Sequence, residues 1–536
     1  DEVSPATLTG LARMLAPLRL SPESVEESAQ EGGSIDFPSM MGVHDPSDMD
    51  VQRMWAPRSE RAFLRVPIGV DDMGQPVVLD LKESAQLGMG PHGLCVGATG
   101  SGKSEMLRTL VLALAGSHHP DRVSMVLVDY KGGATFAPFE DMPHVAGVIT
   151  NLEDDAALIE RVHASLSGEV QRRQQVLRDA GNVPNIADYQ YKREHDPNLP
   201  PLPHLLVIID EFGELLTARP DFIELFLSIG RIGRSIGVHL LLSSQRIEGG
   251  KLRGLDTYLS YRLGLRTFSE EESRTVLNTP DAFHLPALPG FGYLKVDTTV
   301  YQQFKAGYVS GPYRGPVADE EPDDTPTVRP YTAFNPDPEE EGKQGGTEEG
   351  SGSSMPSRTT GPTLLDVMVG QFDHHADTTR AIWLPPLPKA ITLDQAVGEP
   401  VSTEQGLRLP WDRPVLRVPL GTLDDPSRQW QGVWELDLTS SGGHVALIGG
   451  PQSGKTTLLR TLVTSLALTH TPGQVTVYGL DLVGGGLQSL GGLPHVGGVA
   501  VRTDAERIRR TSEEIRGMLE HRQEVFRDRT IDSVAQ

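Results

Sequence analysis

The chain has 536 residues and carries 72 acidic against 48 basic side chains, a net charge of −24. That balance argues against a protein whose whole surface grips nucleic acid, and a single cysteine excludes a disulfide framework and fits a reducing compartment. No run of 18 apolar residues offers a membrane span, and residue 1 does not open a signal peptide.

Residues 1–60 mix acidic and small residues around a weak helical stretch, LTGLARMLAPL, and read as a lead-in from an upstream domain. A first module is expected over 61–314. It opens on LRVPIGV and runs through an apolar strand into GATGSGKS, that is Gly97, Ala98, Thr99, Gly100, Ser101, Gly102, Lys103 and Ser104. This is G-x-x-x-x-G-K-[ST], the phosphate-binding loop between a strand and a helix. Its glycines let the backbone turn several N–H groups toward one phosphate, which the following helix N-terminus also favours. Lys103 can bridge the β- and γ-phosphates of ATP, and the Ser104 hydroxyl can hold Mg²⁺. The helix-like EMLRTLVLALAG follows, and Cys95, in the entering strand, reads as a buried structural thiol.

Three short apolar runs come next: SMVLVD (Ser124–Asp129), LLVIID (Leu205–Asp210) and VHLLLSS (Val238–Ser244). Continuous apolar runs mark strands buried on both faces of a parallel sheet. The helical patterns between them make this a doubly wound α/β module of the RecA-like P-loop kind, with a mostly parallel sheet. Asp210, ending its strand, suits the Mg²⁺ shell, the Walker-B role. Glu211, one residue on, suits the base that orients and deprotonates the attacking water. Gln245, directly after the next strand, suits a γ-phosphate sensor. An arginine from a neighbouring subunit would offset charge on the transferring phosphoryl group. Arg234, in GRIGRSIG just before the sensor strand, is the first candidate, with Arg231, Arg262, Arg266 and Arg274 left open.

Asp319–Glu349 holds eleven acidic and two basic residues among Pro, Gly and Thr, so 315–361 reads as an acidic disordered linker. Residues 362–406 turn apolar again (TLLDVMVGQF, AIWLPPLP) and are expected to dock on a neighbour, with Trp383 as the anchor that restrains the first module. A second module is expected over 407–536. LRVPLGT repeats LRVPIGV, and GGPQSGKT stands 352 positions after the first loop: Gly449, Gly450, Pro451, Gln452, Ser453, Gly454, Lys455 and Thr456. Thr456 is its metal-holding hydroxyl. MPHVAGV returns as LPHVGGV and RQQVLRD as RQEVFRD. A period this long means duplicated domains. The second copy stops just after its RQEVFRD, so the chain reads as a fragment. Val483 and Leu487 stand where Lys131 and Thr135 stand in the first copy.

GMGPHGLCVGATGSGKSE, LVDYKGGATF, LPHLLVIIDEFGELL, GRIGRSIGVHLLLSSQR and SRTVLNTPDAFHLPALPGFGYLK together resemble the FtsK/SpoIIIE class. Within it they resemble the EccC-type tandem ATPases of type VII (ESX) secretion. Proline is missing after Arg246, where the motor family often has a TQRP-like sequence. The resemblance implies a Mg²⁺-dependent ATPase that drives export of small helical WxG-motif proteins, recognised mainly by a further C-terminal module. It also implies a membrane anchor upstream, placement on the cytoplasmic face of the plasma membrane, membrane components of the secretion complex as partners, and a ring, hexameric when active. The first module would turn ATP over and the second mainly bind it. A double-stranded DNA translocase shares the motor but predicts basic pore loops, which this acidic chain lacks, so no nucleic acid is expected. A non-enzymatic scaffold would have lost Lys103 or Glu211.

Overall fold

The computed structural model describes residues 37–315 and 361–531, apart from positions 134, 154, 248, 249, 251, 253, 314, 374, 405 and 440–442. The expected lead-in helix and nearly all of the expected acidic linker lie outside the described residues. The described chain divides into two compact units, one ending at Trp383 and the other beginning at Leu384.

The first unit is built on one sheet. In chain order its elements are β1 (Arg65–Val70), β2 (Pro76–Asp80), β3 (His92–Val96), α1 (Lys103–Ser117), β4 (Val123–Asp129), β5 (Val145–Ile149), α2 (Ala156–Asp179), β6 (His204–Asp210), α3 (Phe212–Ala218), α4 (Phe222–Ile236), β7 (Val238–Ser244), β8 (Tyr261–Leu265), β9 (Phe291–Val296) and β10 (Val300–Ala306). The ten strands lie in the order β2-β1-β10-β9-β8-β3-β7-β6-β4-β5. From β8 to β5 every pairing is parallel; from β8 outward to β2 every pairing is antiparallel.

The parallel half follows from its sequence. β3, β4 and β7 are buried along their whole length, because helices cover both faces. Successive residues of one strand feed opposite layers: Met125 and Leu127 join Leu107 and Leu110 of α1, while Val126 and Val128 join Val162 of α2 and Phe226 of α4. Asp155 starts α2 by accepting N–H bonds from Ala157 and Leu158. β2, β9 and β10 alternate or half-alternate in burial, as strands with one solvated face do.

Two expected boundaries move. Phe37, Val51 and Trp55 are buried in the same core as α1, and the Trp55 indole N–H donates to the Ala115 carbonyl at 2.7 Å. Residues 37–60 therefore pack as part of the first module rather than as a lead-in to it. At the other end, α5 (Leu364–Phe372) starts on a Thr363–Asp366 capping box and buries Leu365, Met368 and Phe372 in that core. Phe372 stacks on Trp55, ring centroids 5.8 Å apart. Beyond α5, the N–H groups of Ile382 and Trp383 both donate to Ala146 of β5, at 2.8 and 3.1 Å. The segment expected as one docking linker over 362–406 thus divides, and its first part packs on the first module.

In the second unit, short β11 (Val401–Thr403) and β12 (Gly406–Arg408) precede β13 (Arg417–Asp425), β14 (Trp430–Asp437), α6 (Lys455–Thr469), β15 (Val477–Asp481), β16 (Val496–Val501) and α7 (Ala505–Arg529). The β13–β14 hairpin repeats β1–β2 down to its bulge, between Pro419 and Gly421 here and between Pro67 and Gly69 there. The apolar run before the second loop, HVALI, forms no strand, with Val445 57%, Leu447 37% and Ile448 92% exposed. In the first unit the equivalent strand, β3, is flanked by β7 and β8.

A histidine clip is duplicated intact. His118 Nε2 accepts the Leu64 N–H at 3.0 Å, and a ring nitrogen of His144 meets the His118 carbonyl at 2.6 Å. His470, Leu416 and His495 repeat both contacts at 2.9 and 2.7 Å. Leu64 and Leu416 both take left-handed φ values, 55° and 70°, so the clip holds the same strained entry to the hairpin twice.

Candidate active site

The first loop is held from below by backbone. The Ala98 N–H donates to the Arg266 carbonyl at 2.7 Å, Ser101 to Ala98 at 3.0 Å and Gly290 to Ser101 at 2.8 Å. Gly100 and Gly102 have φ of +79° and +89°, and a Cβ on Gly102 would lie 2.4 Å from the Gly290 nitrogen. Only glycine fits this bend. α1 starts at Lys103 with no side chain capping its first turn, which leaves N–H groups for an anion. The cradle therefore fits a phosphate chain.

β6 delivers the acids. Lys103 is buried, and its ammonium donates to Asp210 and, at 3.1 Å, to Glu211. Burial works to discharge Lys103, but Asp210 and Glu211 outweigh it and hold the ammonium above the ordinary lysine range. Asp210 also accepts the Ser243 hydroxyl at 2.9 Å. Glu211 sits at φ 61°, where the chain turns sharply into α3. Its Oε2 accepts the Gln245 N–H at 3.4 Å, and the Thr99 hydroxyl donates to Gln245 Oε1 at 2.8 Å. Lys103, Thr99, Asp210, Glu211 and Gln245 are thus brought together by β3, β6 and β7. Ser104 faces the Thr135 hydroxyl at 3.4 Å. Among the described residues no three acidic, histidine or cysteine side chains form an all-protein metal cage. A hydroxyl, a carboxylate and nucleotide phosphates are the usual Mg²⁺ set instead, and Ser104 and Asp210 fit it.

Arg234 is not brought to this cluster. It lies in the last turn of α4, at the amino end of β7, while the loop follows the carboxyl end of the parallel β3. Its exposed side chain pairs with Glu83. Arg262 donates to the Thr275 and Val276 carbonyls and pairs with Asp256 at 3.3 Å, and Arg274 pairs with Glu270 at 3.1 Å. Arg266 contributes its carbonyl to the loop, and Arg231 is exposed.

Asp129 and Arg161 escaped the sequence reading. Asp129 ends β4 in register with Asp210; burial and then Asp210 push its carboxyl above the usual range, against N–H bonds from Gly133 and Lys131. It closes an apolar run just as Asp210 does, and that signal was visible. Thr135 is buried, its carbonyl fixed by Arg108 at 2.9 Å. Arg161, 8% exposed, stands under Trp383, its guanidinium 5.6 Å from the ring centroid. Cys95 is buried and its thiol is pushed up to about 12 by burial.

At the second loop Gln452 and Gly454 take positive φ and α6 begins at Lys455. The Lys455 ammonium folds back on the loop carbonyls of Gly449, at 2.7 Å, and Gly450. Asp481, the counterpart of Asp129, accepts N–H bonds from Leu487 at 2.9 Å, Gly484 at 3.1 Å and Val483 at 3.4 Å. These hold its carboxyl below the usual carboxylate range, Leu487 and Gly484 first.

The FtsK/SpoIIIE family model matches residues 50–248 and 417–536, both halves of the duplication. The chain belongs to the FtsK/SpoIIIE family. It is similar to the ESX secretion system protein EccC of Thermomonospora curvata, 48% identical over 553 residues, covering 100% of this chain and 41% of that one. It is also similar to the ESX-4 secretion system protein EccC4 of Mycobacterium tuberculosis, 43% identical over 539 residues, covering 100% and 42%. Among solved structures, the cytoplasmic domain of the Thermomonospora curvata type VII secretion ATPase EccC matches with a TM-score of 0.78 at 48% identity, over 94% of this chain and 54% of that one. ATPases 2 and 3 of Geobacillus thermodenitrificans EssC share the fold, with a TM-score of 0.59 at 18% identity over 87% of this chain and 75% of that one. The chain thus spans about two-fifths of the length of those FtsK/SpoIIIE relatives. No described helix is long and apolar enough to cross a membrane.

Proposed function

We propose that this chain is the ATP-hydrolysing part of a type VII protein secretion motor, with turnover in the first module and a mainly nucleotide-binding or regulatory second module. The observation that carries this is the meeting of Lys103 with Asp210 and Glu211 over a glycine cradle. The ammonium that now neutralises two carboxylates can turn to phosphate oxygens, which frees Glu211 to take a proton from water. Gln245, tied to both Glu211 and Thr99, sits where a γ-phosphate would be felt. Mg²⁺, held by Ser104 and Asp210, supplies charge neutralisation on the phosphates. Thr456 and Lys455 hold the nucleotide of the second module.

The relatives are secretion proteins by name, which favours protein export over DNA translocation. Small helical WxG-motif heterodimers are the cargo, membrane components of the complex the partners, and the cytoplasmic face of the plasma membrane the place. Activity is collective, in a ring of about six copies. The module supplies its own lysine, metal ligands and base, and a neighbouring subunit supplies the outer cation, with Arg234 the first candidate. A trans arginine is worth roughly 10³–10⁵ in rate in related phosphoryl transfer. The test is mixing. Arg234→Ala subunits and Glu211→Gln subunits should each be inactive alone and regain partial turnover together. Co-assembly without recovery would remove Arg234 from the role.

A further inference from the structure

Thr135 belongs to no part of the motif, yet a chain of hydrogen bonds holds it facing the loop. Its carbonyl is fixed by Arg108 Nε at 2.9 Å. Arg108 is itself braced by Glu105 at 2.8 Å and by the Ser310 hydroxyl at 2.7 Å. So held, the buried Thr135 hydroxyl donates to Ser104 Oγ at 3.4 Å. A serine hydroxyl has two lone pairs and one proton and rotates freely unless a neighbour fixes it. A donor on one lone pair leaves the other for a cation and turns the proton toward an acceptor. Asp129 lies behind: a point one Cβ out from Gly133 is 3.0 Å from Asp129 Oδ2 and 3.8 Å from Thr135 Oγ1.

The second module has lost this arrangement while keeping its loop. Leu487 replaces Thr135 and has no hydroxyl, and Thr457 replaces Glu105, so the brace on the arginine is gone too. The Leu487 backbone N–H goes to Asp481, and the Thr456 methyl faces Gly486, where a Cβ would lie 2.7 Å from it.

We propose that Thr135 is a positioning residue that sets the Ser104 hydroxyl for the nucleotide's divalent cation, and that Leu487 is the lesion that weakens cation use in the second module. This rests on the nucleotide reading above. Outer partners of a metal-holding side chain typically change metal affinity by about 10–100-fold.

The experiment reads cation affinity rather than turnover. In protein carrying Lys455→Ala, so that only the first loop reports, a fluorescent ATP analogue is bound in EDTA and Mg²⁺ is then titrated. Thr135→Val should leave binding in EDTA within about twofold and raise the Mg²⁺ midpoint about tenfold, and Thr135→Ser should restore it. In the reciprocal Lys103→Ala background, Leu487→Thr should lower the midpoint of the second loop. Nucleotide binding with an unmoved midpoint in Thr135→Val, or in Leu487→Thr, would overturn the assignment. A parent protein that binds no nucleotide in either condition would instead overturn the nucleotide reading, and this inference with it.

Discussion

The two modules share a loop, a hairpin bulge and a histidine clip, and they differ where the strands end. In the first, the lysine of the loop is clasped by Asp210 and Glu211, and Thr135 faces Ser104. In the second, Lys455 folds onto its own loop carbonyls, and Asp481 is spent on three backbone N–H groups. The clip maintains geometry and is kept in both copies. The two loop lysines therefore lie in different surroundings, Lys103 between two carboxylates and Lys455 on carbonyls of its own loop.

The largest effect that can break this comparison is at Glu211. Glu211→Gln should lower turnover by roughly 10²–10⁴, as loss of a general base does, with nucleotide affinity retained, because an amide cannot take the proton. Equilibrium binding and phosphate release, measured on one preparation, check both halves. Normal turnover in that variant would end the assignment.

A smaller effect concerns the Trp383 segment. Desolvated cation–π pairs are worth about 2 kcal/mol, and 1.4 kcal/mol is a factor of ten. If docking of Trp383 over Arg161 restrains the first module, Trp383→Ala should raise basal turnover about threefold to tenfold. Gly147→Ala should do the same without replacing either partner, since a Cβ there would lie 2.3 Å from Trp383 Cβ. The counterpart, Gly498, has only an arginine side-chain tip 3.7 Å away, so Gly498→Ala should be silent. Unchanged turnover in folded Trp383→Ala and Gly147→Ala proteins would remove the restraint.

Acid separates the modules more gently. Burial depresses His92 and His118 to about 4 and His144 and His239 to about 3, and it lowers His204 well below its usual value. In the second unit His470 is lowered, again by burial first. A histidine whose folded pKa lies below its unfolded value of about 6.5 adds stability that is present above that value and lost as pH falls toward the folded one. Between pH 7 and 5 each of His92, His118, His144 and His239 should cost about 1–2 kcal/mol. The first module should therefore lose melting temperature faster than the second on acidification, and replacing His144 with Gln should flatten its slope. Parallel loss in the two units would contradict this.

Much of the reacting site was legible because its parts are local. A strand, a glycine-rich loop and a helix are contiguous in sequence, and an acidic pair at the end of an apolar run is visible by itself. The antiparallel half of the sheet was not, because its strands are short and half-buried and pair across long separations, as Gly69 does with Ala306. Trp55 looked like part of a lead-in because nothing local says that its indole meets the end of α1. Thr135 was visible only as a polar position lost at Leu487 in the second copy, and Arg161 escaped because its partner, Trp383, lies far along the chain. Arg234 fits the sequence position of a protruding cation, but its placement at the amino end of β7 is a matter of topology, not of motif.

The division of labour is tested most directly by silencing one loop at a time in the assembled protein and counting phosphate released. Lys103→Ala should remove nearly all turnover, while Lys455→Ala should leave turnover within a few-fold of the parent and remove one of two bound nucleotides. Turnover that survives Lys103→Ala but is lost in Lys455→Ala would place the chemistry in the second module and contradict the account.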